Sequence, residues 1–204
     1  MSETDPVLID VPMPVRTPRL LLRPPQAGDG PALHEAKHAS LPALRKWLTW
    51  AKYIDENADH TDDEIMCRKK SAAFLLREDL MTFAFSKDDP TRLIGSSGLH
   101  RFSWKKRQFE IGYWVRSDET GKGYATEICA ALCHYAFRYL AATKITIIYS
   151  EGNDASRKVI EKVGFEKEGV LRKSYELPDG RLVDKHIYGM LSPDNLPDIA
   201  IQAG

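Results

Sequence analysis

The sequence predicts a single α/β domain, a mixed and mostly antiparallel sheet flanked by helices. In the middle of the chain, strand-like segments follow one another across short connections, which favours an antiparallel meander. A helix-length segment then separates Phe109–Val115 from the buried-type strand Ile145–Tyr149, the logic of a parallel crossover. A chain of 204 residues with 43% hydrophobic and 28% charged residues can bury a proper core, and an α/β chain of this size is routinely one domain.

The domain opens with the apolar strand Arg19–Arg23, and Pro24-Pro25 and Asp29-Gly30-Pro31 lead into a helix from about Ala32. Leu44, Trp47, Leu48 and Ala51 stand at helical spacing between Leu41 and Tyr53. Thr61-Asp62-Asp63-Glu64 resembles a capping box, and Ile65, Ala72, Ala73 and Leu76 are the expected core positions of the helix beyond it. The meander comprises Met81–Phe85, Leu93–Leu99 and Phe109–Val115, with a turn at Asp88-Asp89-Pro90 after the first. A helix from about Tyr124 to Leu140 leads to the strand Ile145–Tyr149. A shorter one, Ala155–Val163, ends at Gly164, which can take the left-handed cap. The last strands, Gly169–Glu176 and Leu182–Leu191, flank the hairpin signal Pro178-Asp179-Gly180. Residues 1–15 and 192–204 are expected to be tails around a domain of residues 16–191, since the two prolines of Ser192–Pro197 break regular structure.

Lys+Arg and Asp+Glu both total 29, so no net field draws the molecule to nucleic acid or an anionic membrane. The local basic stretch Arg101, Lys105, Lys106 and Arg107, interleaved with Phe102 and Trp104, reads as a solvated hairpin tip, and no direct nucleic-acid partner is expected. No apolar run approaches the roughly 20 residues of a membrane span, and Met1–Pro14 is acidic where a signal peptide is basic, so a cytoplasmic protein is expected. Cys129 and Cys133 stand one helical turn apart beside His134, without a second ligand cluster. They and Cys67 read as small buried thiols, and no metal is expected. The six acidic residues from Asp55 to Glu64, with no Lys or Arg among them, read as a solvated loop and helix start, with attraction of a cationic substrate as the alternative.

The richest segment is Val115–Glu127, in which a strand ends in a small-residue turn that opens directly into a helix. Glycines let the backbone approach an anion closely, and the unpaired N–H groups of a first helical turn point at it. Gly121-Lys122-Gly123 has neither the Gly-x-Gly-x-x-Gly spacing of a dinucleotide fold nor the Gly-Lys-Ser/Thr ending of a nucleoside-triphosphate loop. After the next strand comes a second block, Asn153-Asp154-Ala155-Ser156 through Val163-Gly164-Phe165. With Thr17-Pro18-Arg19-Leu20, Glu110-Ile111-Gly112-Tyr113-Trp114 and Gly121–Glu127, this pair resembles the GNAT superfamily of acyl-CoA-dependent N-acyltransferases, and within it the Rim-type ribosomal-protein N-acetyltransferases. The resemblance runs from about Arg16 to Leu191.

It implies central strands that splay apart to admit a pantetheine arm, with acetyl-CoA as cosubstrate and its pyrophosphate on Thr120, Gly121, Lys122, Gly123, Tyr124 and Ala125. It also implies that Asn153 hydrogen-bonds the arm and that a backbone N–H near Val115 polarises the thioester carbonyl. Thr120 departs from the Gln or Arg that usually begins this turn, and Ile160 stands where many relatives carry a proton-donating tyrosine. Ser156 is then the better donor to the departing sulfur. Glu110 is the first choice of base; alternation places it with Gly112 and Trp114, opposite Phe109, Ile111 and Tyr113. An ordinary glutamate titrates near about 4.3, so burial or an intervening water is required. His100 and His186 are substitutes, and Trp47 and Trp50 read either as core or as walls of the acceptor site. The expected activity is acetyl transfer to a primary amine, preferably a protein or peptide N-terminus such as that of a ribosomal protein. The alternatives are a small-molecule amine acetyltransferase and a non-catalytic acyl-CoA-binding sensor, and a homodimer stays open.

Overall fold

The computed structural model describes residues 5–204. Its strands are β1 (Val15–Arg16), β2 (Leu20–Arg23), β3 (Leu80–Ser86), β4 (Leu93–Ser103), β5 (Gln108–Val115), β6 (Lys144–Ser150), β7 (Glu166–Glu176), β8 (Leu182–Met190) and β9 (Gln202–Ala203). The helices are α1 (Gly30–His38), α2 (Leu41–Trp47), α3 (Thr61–Leu75), α4 (Tyr124–Leu140) and α5 (Asp154–Val163). One sheet runs in the order β7-β8-β6-β5-β4-β3-β2-β1-β9, and β5–β6 is its parallel pair among the described residues. The expected meander is β3–β4–β5, and α4 is the crossover that makes β5 and β6 parallel. No helix among the described residues is long and apolar enough to cross a membrane.

Strand alternation sorts the core onto the two faces of this sheet. Phe83, Phe85 and Leu93 meet Leu33 and Ala36 of α1 and Cys67 of α3 on one face. Leu99, Phe109, Ile111, Ile145 and Ile147 meet Ile128, Leu132 and Ala136 of α4 with Ile160 and Val163 of α5 on the other. The three cysteines are buried, and burial pushes all three thiols up, Cys67 to about 12, as expected of packing groups.

Four local expectations are corrected. Leu41–Tyr53 is not one helix: Leu48 is extended, and a 3-10 turn, Thr49–Tyr53, follows it. Arg45 stabilises the break by donating to Ala51 O and Ile54 O, carbonyls that a continuous helix would have aimed elsewhere. Thr61–Glu64 forms no capping box, because the Glu64 carboxylate accepts from the N–H groups of Gly28 and Gly30 and so caps α1 rather than its own helix. In α3 the inward face is Asp63, Cys67 and Phe74, while Ile65 and Leu76 are exposed. Residues 192–204 are no free tail: Gln202 and Ala203 pair with Arg16 and Val15, and Leu196, Ile199 and Ile201 pack against the core. The two-residue strand β1 would otherwise leave an unpaired edge.

Arg116, at the end of β5, is 2% exposed and binds Glu35 of α1 at 2.7 Å and Asp118 at 2.7 Å. These contacts bind α1 to the end of β5.

Deleting residues 198–204 removes β9 and two partly buried isoleucines, and is expected to lower stability by about 2 kcal/mol, or Tm by about 4–8 °C, with an unchanged far-UV spectrum. Thermal scans of the full and shortened chains check it. A second expectation concerns acid. Hydrogen bonds from the Arg116 guanidinium hold the Glu35 carboxyl, and likewise that of Asp118, below the usual carboxylate range. Groups with depressed folded-state values stabilise above their unfolded-state range and lose that stabilisation as pH falls through the folded value. Tm should therefore fall between neutral pH and the acid limit of these carboxyls, and fall less steeply in Glu35→Gln.

Candidate active site

β5 and β6 pair over only Gln108–Ile111 and Lys144–Ile147. Beyond Ile111 and Ile147 both strands continue, β5 on β4 as far as Val115 and β6 on β8 as far as Ser150, but no longer on each other. The sheet thus opens a wedge at its centre. Arg116 N–H donates to Ile94 O on β4, so alternation turns the N–H groups of Val115 and Tyr113 toward the gap that β6 has left. A cleft of about 1040 Å³ passes through it. Tyr113, Asn153 and Ser156 line it toward α5, while His100, Glu110 and Trp114 line it toward α1 and α3.

At the end of β5 the chain makes a short 3-10 turn, Ser117–Glu119, and enters α4 through Gly121-Lys122-Gly123. Gly121 and Gly123 have φ of +79° and +84°, the left-handed region that side chains with a Cβ avoid. The N–H groups of Gly121, Lys122 and Gly123 have no partner among the described residues, and the first turn of α4 has no intrahelical acceptor. This exposed cradle of N–H groups is suited to pyrophosphate. The side chains around it are committed elsewhere: Thr120 Oγ1 donates to Ser117 O and Lys122 Nζ pairs with Glu119 at 2.8 Å. The Thr17–Leu20 motif anchors the turn. Arg19 donates to Lys122 O, lies 4.2 Å over the Tyr124 ring and pairs with Glu127, whose other oxygen accepts from Thr17 Oγ1.

Across the gap, Asn153 is the N-cap of α5, its Oδ1 accepting from Ser156 N–H at 3.1 Å. Ser156 Oγ accepts from Tyr113 OH at 3.2 Å, which leaves the serine proton free to point onward. Burial pushes the Tyr113 hydroxyl well up, so it stays a proton carrier at neutral pH. The Tyr113–Ser156 contact is not anticipated by the sequence reading. The available signal was a hydroxyl on the otherwise apolar Phe109–Ile111–Val115 face, which had to find a partner. Ile160 is fully buried and belongs to the core.

On the acceptor side, Glu110 Oε1 is bound by Arg101 at 2.5 Å. His100, its cross-strand neighbour, donates from Nδ1 to Asp79, and Lys70 binds the other Asp79 oxygen at 2.6 Å. Burial works to raise the Asp79 carboxyl, and the bonds from His100 and Lys70 outweigh it, leaving it below its usual range. His186 lies outside this cluster, stacked on Tyr149. Trp50 is 40% exposed at the mouth, 6.4 Å from Trp114, with Trp47, Tyr53, Asp55, Asp59 and Asp62 around it. The basic hairpin turns its aromatics inward: Phe102, Trp104 and Phe109 pack edge-on or tilted, and Trp104 Nε1 donates to Arg77 O.

An open wedge between parallel strands, a glycine turn at a helix start and a hydroxyl pair beside the gap define an enzyme that transfers an acyl group from a coenzyme A thioester. The GNAT acetyltransferase domain model matches residues 19–166, and the chain belongs to that family. It is an acetyl-CoA-dependent N-acetyltransferase. It is 30% identical over 138 residues to the uncharacterized N-acetyltransferase YoaA of Bacillus subtilis, covering 68% of this chain and 77% of that one. It is 24% identical over 139 residues to the ribosomal-protein-serine acetyltransferase of Escherichia coli, covering 67% and 73%. The structure of RimL, an α-N-protein acetyltransferase, in complex with coenzyme A superposes with a TM-score of 0.77 at 20% identity, covering 90% of this chain and 97% of that one.

Gly123→Val forces a Cβ-bearing residue into φ +84° within the cradle, and is expected to weaken acetyl-CoA binding by at least about tenfold, or 1.4 kcal/mol. Lys122→Ala should cost only a few-fold, because its ammonium is shared with Glu119. Calorimetric titration of both variants decides it, and equal losses would contradict dominance of the backbone donors.

Proposed function

We propose that the protein, working in the cytoplasm, acetylates the α-amine of a protein or peptide N-terminus by direct attack on acetyl-CoA. The observation that carries this reading is the wedge between β5 and β6, with free N–H groups on the β5 wall and the Tyr113–Ser156 pair joining β5 to α5 beside it. Backbone donors from Gly121 to Ala125 hold the pyrophosphate, with Thr120 and Lys122 shaping the turn. Asn153, its Oδ1 already used in capping α5, keeps its amide N–H groups for the pantetheine arm. Val115 N–H stabilises the charge that develops on the thioester oxygen, a fixed dipole that needs no reorganisation. Ser156, backed by Tyr113, protonates the departing thiolate.

The acceptor enters from the opposite face. Trp50 and Tyr53 with Asp55, Asp59 and Asp62 at the mouth suit a cationic amine, through ring faces and carboxylates. Glu110 lines the inner wall with Oε1 held by Arg101, and its other oxygen can accept from the ammonium, directly or through water. An N-terminal α-amine titrates at about 7.7–8.0 and is partly neutral without a strong base, which favours it over a lysine or an alkyl polyamine. The curated relative in Escherichia coli is named for a ribosomal protein, and that supports a protein acceptor here.

Thiol release from acetyl-CoA, measured with peptides of varied N-termini beside polyamines and amino sugars, tests the assignment. Turnover on peptides alone supports it. Preference for polyamines or amino sugars replaces it with a small-molecule reading, and tight CoA binding without turnover on any amine makes the protein a sensor. Ser156→Ala should lower kcat by about 10- to 100-fold with little change in acetyl-CoA affinity, without rescue at higher pH, and Tyr113→Phe should lower it less. Steady-state kinetics beside calorimetry on the same variants check both.

A further inference from the structure

We infer that His100, oriented by Asp79, is the catalytic base that takes the proton from the acceptor ammonium. This assignment rests on the acetyl-transfer reading above and goes beyond it, naming the proton acceptor.

The geometry determines which ring nitrogen is available. His100 Nδ1 lies 2.5 Å from Asp79 Oδ1, and an ionised carboxylate only accepts, so Nδ1 carries the hydrogen. The neutral ring then presents its lone pair at Nε2, the tautomer a base requires. Lys70 holds the other Asp79 oxygen at 2.6 Å, which keeps the carboxylate ionised and aimed. Asp79 and Lys70 thus act as positioning residues, and His100 is the member of this triad that faces the reacting amine.

Nε2 has no protein partner among the described residues, and His100 lines the cleft. The ring lies over Gly112: a Cβ there would stand 3.6 Å from His100 Cδ2 and 4.0 Å from Nε2. Gly112 directly follows Ile111, the last β5 residue that pairs with β6. The bare backbone at Gly112 therefore lets the imidazole lie at the point where the wedge opens, on the acceptor side. Glu110 faces the same space from β5 but has Oε1 committed to Arg101, which lies next to His100 on its own strand. Besides Asp79, Lys70, Glu110 and Arg101, the charged groups on this side of the cleft include Asp63 with its partners Lys37 and His34.

The step balances. One ammonium proton passes to Nε2, and the freed nitrogen lone pair forms the N–C bond to the thioester carbon. The C–S bond then breaks with its electron pair leaving on sulfur, which takes a proton from Ser156. The remaining surplus proton on nitrogen and the one on Nε2 pass to solvent, which refills the hydroxyl pair, so one proton is released per turnover.

The test compares His100→Gln, Asp79→Asn and Glu110→Gln in the full chain, using kcat/KM against pH with a peptide amine that the wild type acetylates. His100→Gln should lose about 10²- to 10⁴-fold near neutral pH with unchanged acetyl-CoA affinity. The loss should shrink as pH rises and supplies neutral amine, and added imidazole should restore part of it. Asp79→Asn should lose less than His100→Gln, and Glu110→Gln less again. In the protein without acetyl-CoA, ¹⁵N spectra should show neutral His100 protonated at Nδ1, a preference that Asp79→Asn abolishes. Wild-type rates in His100→Gln, a loss that neither pH nor imidazole relieves, or a ring protonated at Nε2 would each overturn the assignment while leaving the transferase reading standing. A wild type that acetylates no amine overturns both.

Discussion

The molecule is organised around a failure of pairing. β5 and β6 share four residue pairs and then part, although each remains paired to its outer neighbour for the rest of its length. Buried backbone N–H and C=O groups left without partners are costly, so such a gap persists only where water or a ligand can satisfy them. The gap itself supplies directed N–H donors, a passage through the sheet and two walls of different chemistry. An unbroken sheet here would leave the glycine turn, the Tyr113–Ser156 pair and the His100 cluster on surfaces that do not communicate.

Alternation along β5 divides the chemistry between the two sides. Tyr113 and Val115 turn toward the α4 and α5 side, where the glycine turn and Ser156 lie, while Glu110, Gly112 and Trp114 turn toward α1 and α3. One strand thus presents side chains to both faces of the sheet, and the two sets approach each other only at the gap. Its ends are fixed by buried ions rather than by loops alone. Arg116 ties the C-terminal end to α1, and Glu127 ties the start of α4 to Thr17 and Arg19 on the other flank of the turn. Breaking either cluster by removing one partner would leave a buried charge uncompensated, so the turn geometry and the fold are coupled.

The acceptor side is built from segments distant in sequence. α3 contributes Lys70, the turn before β3 contributes Asp79, β4 contributes His100 and β5 contributes Gly112 and Glu110. α2 and the 3-10 turn after it supply the aromatic part of the mouth, and the connection to α3 with the first turn of α3 supplies its carboxylates; Arg45 gathers the carbonyls of Ala51 and Ile54 here, and Tyr175 donates to Trp47 O. This division gives the glycine-turn side a short, local construction and the His100 side a composite one.

The sequence by itself determined the sheet with its flanking helices, the meander and crossover, and the glycine turn, because each rests on local periodicity or on a contiguous motif. It misplaced Glu64, whose carboxylate answers N–H groups on another helix, and it misread residues 192–204, whose few apolar side chains gain their place only when a sheet edge is there to receive them. Only the tertiary structure decided that Tyr113 backs Ser156, that Arg101 occupies Glu110, and that His100 stands against Asp79 over Gly112. Those relations join residues from different elements, and no spacing along the chain encodes a distance that exists only after the strands have paired and parted.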